Sequence, residues 1–395
     1  MLTVFSSCLV LIVYVYAGYP LLLRLGVFGP RRDRKHGLET FPFVSFIVPA
    51  HNEEAGIAAK IANLLALDYP RERVEILIGS DGSSDRTDDL VRRYSAEGVG
   101  LVSFPRQHGK SAIQNSLVSF VSGEILVFTD ADCLFAPESL KLLLDNFADP
   151  SVGLVTARPH FENSAETSVT HNEGIYLRYE TWIRKQESTR GLLVLASGSL
   201  FAVRRSLWQP LDAAMGDDFL LPLRVSRAGF RNVLELDAVA VTRLSQDQPK
   251  SMFRMKVRII AKDFLALLAH RDLLNPLRHR ALAIALWSHK LLRWFVPYFL
   301  LVLFAANLFL LHSAFFRAFL AWQCALYALA CCGTLFRATV KTSLISVPAS
   351  FCIVNAAALV GTFSCLFGRT FAYWRPDRAH SPAAPNSLQS RRARP

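Results

Sequence analysis

The sequence lacks the cysteine patterns of disulfide-stabilised and zinc-binding proteins. Its seven cysteines include no Cys-x-x-Cys pair, and all but Cys133 lie in uncharged apolar stretches. Neither a disulfide framework nor a zinc site is therefore expected. No internal repeat is evident, and 395 residues suffice for one large domain or two ordinary ones.

Charge is missing from long stretches at both ends of the chain. Residues 1–23, 318–336 and 342–368 carry none, and residues 294–316 contain only His312. Each stretch is long enough to cross about 30 Å of hydrocarbon. The middle of the chain has ordinary charge density. The sequence therefore predicts an integral membrane protein with an aqueous domain between N-terminal and C-terminal membrane segments.

These changes in composition predict six regions along the chain. They are a membrane helix at 1–25, a basic linker at 26–41, an α/β domain at 42–250, interfacial amphipathic helices at 251–282, two to three membrane helices at 283–368, and a basic, disordered tail at 369–395. The net charge of +12 lies largely beside the apolar segments. Contact with anionic lipid headgroups explains this placement, and no nucleic-acid partner is predicted.

The basic residues that follow the first apolar stretch predict its orientation. Five of them come directly after it: Arg24, Arg31, Arg32, Arg34 and Lys35. The positive-inside rule then places residues 31–280 in the cytoplasm and the N-terminus outside. Because no basic segment precedes the stretch, a cleaved signal peptide is disfavoured. Four spans would put the C-terminus outside, whereas the arginines of the tail favour the inside, so the side of the tail stays open.

Strand and helix signals alternate through the middle of the chain. Apolar, β-branched runs predict strands at 43–48, 74–78, 99–104, 124–128 and 152–157, with amphipathic helices between them. A further helix is predicted at 171–188, with several charged residues on one face. Such alternation indicates an α/β fold with a Rossmann-like, mainly parallel sheet.

Three acidic clusters accompany these elements. Asp81 follows the second predicted strand, Asp130 and Asp132 follow the fourth, and Asp217 and Asp218 lie further along the chain. The carboxyl ends of strands in an open α/β sheet are where such sheets bind ligands. Carboxylates this close together tolerate one another when a divalent cation lies between them. The pattern suggests a metal and a phosphorylated substrate at one edge of the sheet.

Five motifs in order resemble those of the membrane-bound family 2 glycosyltransferases, a GT-A fold group that includes cellulose, chitin and hyaluronan synthases. Each motif alone is weak, but together they span about residues 40–270. They are a first strand and nucleotide loop at 46–54, a uridine-binding loop at 80–85, a basic phosphate-side motif at 106–115, an Asp-x-Asp metal motif at 129–132, and an acidic pair at 216–218.

The resemblance implies a GT-A domain over residues 42–250 and a function. The reaction would be a metal-dependent transfer of a sugar, with inversion, from a nucleotide-sugar donor to a lipid-linked or polysaccharide acceptor at the cytoplasmic membrane face. UDP-sugars are favoured as donors. Asp132, with Asp130, would hold Mg²⁺ or Mn²⁺. The donor-binding residues would be Pro49, Ala50, Glu53, Asp81, Lys110, Asp130 and Arg258.

Asp218 is implied as the catalytic base that takes the proton of the acceptor hydroxyl, with Asp217 beside it raising the pKa of the base. Which of the two serves as base rests on the resemblance. Simpler roles stay open: Asp218 could be the N-cap acid of a helix at 219–227, Glu53 could complement a helix dipole, and Lys110 could be a solvated lysine.

One departure from the family and two other functions bear on this interpretation. Processive members carry Gln-x-x-Arg-Trp before the interface helix, whereas residues 255–259 read Met-Lys-Val-Arg-Ile, so processive synthesis is not predicted. A membrane-anchored nucleotidyltransferase would also use paired carboxylates and a metal, but Asp218 would be dispensable. A scaffold subunit with a degenerate domain would not need the intact acidic clusters.

Overall fold

The computed structural model describes residues 1–31, 37–163, 168–243, 249–335 and 343–368. The predicted disordered tail and part of the predicted basic linker lie outside these ranges. The described chain forms two compact units. The helical unit comprises the described residues of Met1–Pro30, Asn163–Gln186 and Gln246–Phe371, and the sheet unit comprises those of Arg31–Glu162 and Glu187–Ser245.

The sheet unit is built on eight strands within the described residues. In chain order β1 to β8 are Val44–Ala50, Val74–Asp81, Val99–Phe104, Ile125–Thr129, Leu134–Phe135, Val152–Phe161, Leu200–Arg204 and Arg231–Thr242. Their spatial order is β3-β2-β1-β4-β7-β6-β8-β5. The neighbours from β3 to β4 run parallel, as do β6 and β8, while β7 is antiparallel to β4 and β6, and β5 is antiparallel to β8. The predicted mainly parallel sheet is therefore present.

The order of the strands creates a ligand-binding edge. From β1 the chain adds β2 and β3 on one side and then crosses to add β4 on the other side. The carboxyl ends of β1, β2 and β4 consequently meet at a topological switch point, where open α/β sheets bind ligands. Strands β1 and β2 also run further than the sequence predicted, because Ala50 pairs with Ser80 and Asp81 pairs with Phe104.

The described residues also form α-helices, numbered α1 to α13 in chain order. They are Leu2–Val13, Tyr19–Arg24, Ile57–Leu65, Thr87–Arg92, Lys110–Val118, Ser139–Asp145, Ser168–Ser188, Asp217–Arg227, Pro249–Ala269, Pro276–Ala285, Leu292–Leu308, Ala314–Leu335 and Ser343–Leu366. Helices α3 to α6 and α8 belong to the sheet unit. The core between sheet and helices is apolar and includes Phe46, Ile61, Val127 and Leu144, each with no more than 2% of its surface exposed.

Helix α5 lies directly on β2 because Gly79 has no side chain. A Cβ atom at this position would come within 2.4 Å of Ile113 Cγ2 and 2.9 Å of Leu117 Cδ1. Real Cβ atoms do not approach other atoms this closely, so a larger residue would push the helix off the strand. The close contact fixes α5, whose first residue is Lys110.

The helical unit contains four helical stretches, among the described residues, that are long and apolar enough to cross a membrane. They are Leu2–Arg24, Pro276–Leu308, Ala314–Thr334 and Ile345–Leu366. Three of them lie in the C-terminal region, for which the sequence predicts two to three membrane helices. The first of these three begins at Pro276, where the side chain of Asn275 accepts a hydrogen bond from the Leu277 N–H and caps the helix. Arg280, with a φ of +44°, interrupts the helix before the apolar run that the sequence predicts from residue 283.

Helix α7 groups with the helical unit over most of its length, because residues up to Gln186 belong to that unit. Its polar face has partners there: Glu173 accepts from Lys256 Nζ at 2.7 Å, and Glu180 accepts from Arg293 at 2.8 Å. The sheet unit is consequently made from two pieces of sequence. The predicted domain of residues 42–250 has no such interruption, because the charged face of α7 resembles that of a solvated helix.

Candidate active site

The loops that follow β1 and β2 are joined by hydrogen bonds at the carboxyl edge of the sheet. The Ser84 N–H donates to Asn52 Oδ1 at 2.8 Å, and the Glu53 N–H donates to Thr87 Oγ1 at 2.7 Å. Asn52 has a φ of +52°, a left-handed conformation that asparagine adopts more readily than most residues. These contacts fix the backbone of Glu53 beside the loop that begins at Asp81.

The Asp81 carboxylate holds the loop that leads into α5. It accepts hydrogen bonds from the backbone N–H groups of His108 at 2.6 Å and Gly109 at 2.9 Å, and Asp81 is only 5% exposed. Gly109 has a φ of +93°, which favours glycine. Asp81 therefore fixes the residue before Lys110, a role that the sequence did not reveal. Its predicted contact with the donor stays a prediction.

Lys110 connects the two acidic motifs of the site. Its Nζ lies 2.9 Å from Asp130 Oδ1 and 3.2 Å from Asp217 Oδ2. Burial would lower the pKa of Lys110, but the carboxylates of Asp130 and Asp217, with that of Asp218, outweigh it and hold the pKa above its ordinary value. The lysine is therefore a fixed positive charge between the predicted metal motif and the predicted base.

A second lysine, Lys60, stabilises the turn that contains Asp130 and Asp132. Lys60 is fully buried and donates to Thr129 Oγ1 at 2.8 Å and to the Cys133 carbonyl at 2.6 Å, so that it spans the turn. Burial lowers the pKa of Lys60 to about 8. Burial, with the nearby Asp130 carboxylate, raises the pKa of Asp132 to about 6. A cation bound at this turn would favour the ionised carboxylates.

The acidic pair lies on the first turn of α8, which begins at Asp217 after the N-cap residue Gly216. Both carboxylates thus complement the positive end of the helix dipole. The simpler interpretation of Asp218 as the N-cap is wrong, because Asp218 is the second residue of the helix. The backbone carbonyl of Asp218 accepts from the Ala196 N–H at 2.8 Å. A methyl group placed on Gly198 would lie 3.7 Å from Lys110 Nζ and 3.8 Å from Asp218 Oδ2. Asp218 and Lys110 therefore border the same glycine.

The carboxylates fit a divalent cation that is shared with a substrate. Among the described residues no group of three or more His, Cys, Asp or Glu side chains is placed to hold a metal ion. Asp130 and Asp132 together offer hard oxygen ligands. Mg²⁺ is commonly held by one or two carboxylates together with substrate phosphates, so two protein ligands are enough.

The structure brings four of the predicted site residues together: Lys110, Asp130, Asp217 and Asp218. Asp132 lies in the turn after β4 beside Asp130, and the other predicted residues of the sheet unit lie on β1, β2 and the loop after β1: Pro49, Ala50, Glu53 and Asp81. Arg258 lies on α9 in the helical unit. Its predicted contact with the donor stays a prediction.

Two buried side chains of the site were not predicted. Lys60 lies three residues after Ile57, within the apolar stripe of α3, and a lysine in such a stripe is a signal of a buried charge. Gln114 lies one helical turn after Lys110 and donates to Asp217 Oδ2 at 2.9 Å. The spacing of four residues shows that the two share a helix face, but only the structure shows what they both contact.

Comparison with known proteins gives one family and several relatives. Residues 45–210 match the model of the family described as glycosyl transferase family 2. A beta-monoglucosyldiacylglycerol synthase of Trichormus variabilis is 32% identical over 191 residues, which are 47% of this chain and 40% of the relative. A probable glycosyltransferase of Bacillus subtilis, YdaM, is 30% identical over 209 residues, which are 50% of this chain and 49% of the relative. The chain thus spans less than half the length of either relative.

A solved structure extends the likeness over nearly the whole chain. The mannosyltransferase PcManGT from Pyrobaculum calidifontis, in complex with GDP-Man and Mn²⁺, superposes with a TM-score of 0.71 at 23% identity. The superposition covers 92% of this chain and 99% of that structure. The predicted GT-A fold, with its flanking apolar helices, is confirmed.

We expect Asp81→Asn to loosen the loop before Lys110. An asparagine has no charge, and its amide group offers one acceptor oxygen to the two N–H groups. Loss of a charge-assisted hydrogen bond costs about 1.5–3 kcal/mol, so hydrogen exchange at His108 and Gly109 should speed up by about tenfold or more. Mass-spectrometric hydrogen exchange measures this change. Asp89→Asn is the matched control, because that exposed carboxylate pairs only at the surface with Arg92. Equal exchange in wild type and Asp81→Asn would contradict the role.

Proposed function

We propose, from the premise that residues 45–210 form a glycosyl transferase family 2 domain, that this chain transfers a sugar from a nucleotide-sugar donor to an acceptor at a membrane. The observation that carries the proposal is the position of Lys110 between Asp130 and Asp217. The Lys110 ammonium contacts Asp130, which would face the donor, and Asp217, which would lie on the acceptor side.

The donor side of the site suits a nucleoside diphosphate. Asp132 and Asp130 would hold Mg²⁺ or Mn²⁺, and the metal when bound would neutralise charge on the departing diphosphate. Lys110 can turn from Asp130 towards a phosphate. Mn²⁺ and GDP-Man are named with the solved mannosyltransferase, which supports a metal without deciding the nucleotide. UDP-sugars remain our first choice, because residues 80–85 resemble a uridine-binding loop.

The acceptor side of the site suits a single displacement. The acceptor oxygen would form a bond to the anomeric carbon while the bond from that carbon to the diphosphate breaks. Asp218 would take the proton that the acceptor hydroxyl loses, and configuration at the anomeric carbon would invert. The position of Asp218 supports this assignment, because its Oδ2 and Lys110 Nζ both border Gly198, so that the proposed base lies close to the proposed donor side. The acceptor oxygen would attack from the face of the sugar opposite the diphosphate.

The acceptor is proposed to be a lipid or a lipid-linked glycan. Four helical stretches can cross a membrane, which favours an acceptor that is itself held in the bilayer. The name of the Trichormus variabilis relative refers to a glucosyldiacylglycerol, which is a glycolipid. The sheet unit would face the cytoplasm, where sugar nucleotides are found.

We expect the purified chain to release nucleotide from one of a panel of labelled UDP- and GDP-sugars only when Mn²⁺ or Mg²⁺ is present. Vesicles that contain diacylglycerol or a polyprenyl phosphate should become labelled. Asp132→Ala should abolish turnover and weaken donor binding, because it removes the proposed metal ligand. Donor binding that neither Asp132→Ala nor EDTA changes would reject the metal role. A chain that turns over no sugar nucleotide would reject the function.

Asp218→Asn should separate donor binding from chemistry. The base acts only as the acceptor proton is lost, so the dissociation constant of the donor should hold while the transfer rate falls by roughly 10²–10⁴-fold. Asp217→Asn should cost less. Rate assays on equally folded proteins, checked by thermal melts, measure both effects. Near-wild-type transfer by Asp218→Asn beside an inactive Asp217→Asn would move the base by one residue. Near-wild-type transfer by both variants would reject the inverting mechanism proposed here.

A reporter inserted after Gly37 should read cytoplasmic. The motive is the group of basic residues from Arg31 to Lys35 that follows the first apolar stretch. Fusions to a fluorescent protein and to a phosphatase that is active only outside the cytoplasm distinguish the two sides. A phosphatase signal at this position would overturn the proposed orientation and the access to cytoplasmic donors together.

A further inference from the structure

Gln114 is a buried amide whose contacts point to a role in the site. Its side chain lies on α5, four residues after Lys110, and only 1% of its surface is exposed. Gln114 Nε2 donates to Asp217 Oδ2 at 2.9 Å. Gln114 Oε1 is also buried and has no hydrogen-bond partner among the described residues. An apolar side chain of the same length would fill this position without an unpaired oxygen. The bond to Asp217 is therefore what the amide adds.

Lys110 and Gln114 both contact Asp217 Oδ2, and they differ in kind. Lys110 lies 3.2 Å away on a long side chain that is 30% exposed and that also meets Asp130 at 2.9 Å. Gln114 is enclosed and carries no charge that a phosphate would attract. When a diphosphate draws Lys110 away from the acids, Gln114 is the donor of the two that stays.

Holding Asp217 also fixes the direction of its neighbour. The two acids are consecutive residues on the first turn of α8, and the Asp218 carbonyl is already tied to the Ala196 N–H. A second tie at the Asp217 side chain leaves this turn little freedom to rotate. The carboxylate of Asp218 then keeps its place beside Gly198.

We propose that Gln114 is a positioning residue, which holds Asp217 and thereby the Asp218 base in place while Lys110 engages the donor diphosphate. The inference rests on the proposed function, since it concerns the same base. It assigns Gln114 no contact with substrate.

Gln114→Met tests this role, because methionine keeps the length of the side chain and removes the amide. Loss of a hydrogen bond to a charged carboxylate should lower the transfer rate by about tenfold or more. The dissociation constant of the donor, measured with Mn²⁺ present, should stay within twofold of wild type. A purely structural role would instead change both values or neither. Gln114→Leu is a second variant of similar size in case the first does not fold.

Gln323 provides a matched control. It is also a buried glutamine, 3% exposed, whose Nε2 donates to a side chain, that of Tyr327, and whose Oε1 has no partner among the described residues. Gln323→Met therefore repeats the chemical change away from the acids. Its transfer rate should stay within twofold of wild type. An equal loss of transfer in Gln323→Met would overturn the inference.

A double-mutant cycle with Asp217→Ala shows whether Gln114 acts through Asp217. Once Asp217→Ala has removed the carboxylate that accepts this hydrogen bond, adding Gln114→Met should change the transfer rate and the melting temperature little. Losses that multiply in the double variant would reject the inference. The two hypotheses fail separately. If Asp218→Asn transfers normally, the proposed base is wrong. The contact between Gln114 and Asp217 is judged separately by the melting temperatures, where coupling supports it and additive losses reject it.

Discussion

Repulsion between carboxylates is the constraint on which the rest of the site depends. The end of β4 and the start of α8 bring together four acids: Asp130, Asp132, Asp217 and Asp218. Like charges this close destabilise a fold unless cations lie among them. Lys110 supplies one such cation within the chain. Two neighbouring contacts position the Lys110 ammonium. Gly79 lets α5 lie on β2, and Asp81 accepts a hydrogen bond from Gly109, the residue before Lys110.

The sequence predicts the strands that stand out as apolar, β-branched runs. The strands β1 to β4 and β6 come from apolar, β-branched runs, and two of the three acidic clusters were found because they follow such runs. Strands β5, β7 and β8 were not predicted, and the order of the sheet follows from pairing between residues far apart in sequence, such as Thr129 with Leu200. The roles of Asp81, Lys60 and Gln114 depend in the same way on tertiary contacts. A pattern of residue types identifies an acid or a lysine but not the group that it meets.

Helix α7 shows why a charged helix face does not by itself mean contact with water. Glu180 is buried, and burial alone would raise its pKa, yet His289 and Arg293 bring the pKa well below its ordinary value. A buried carboxylate of this kind is tolerated because it is paired and hydrogen-bonded. Charge density therefore predicted an uninterrupted aqueous domain, whereas the partners of these charges lie in the helical unit.

The division of the sheet unit into two pieces of sequence has a consequence for synthesis on the ribosome. Strand β4 pairs with β1 on one side and with β7 on the other, and β7 begins at Leu200, about seventy residues after β4 ends. Until those residues emerge, a strand that is buried along its whole length in the folded chain presents an open edge, which is a template for pairing with other chains. Domains fold as they are synthesised, N-terminal parts first. Early insertion of the first apolar helix into a bilayer would keep neighbouring nascent chains apart during this interval.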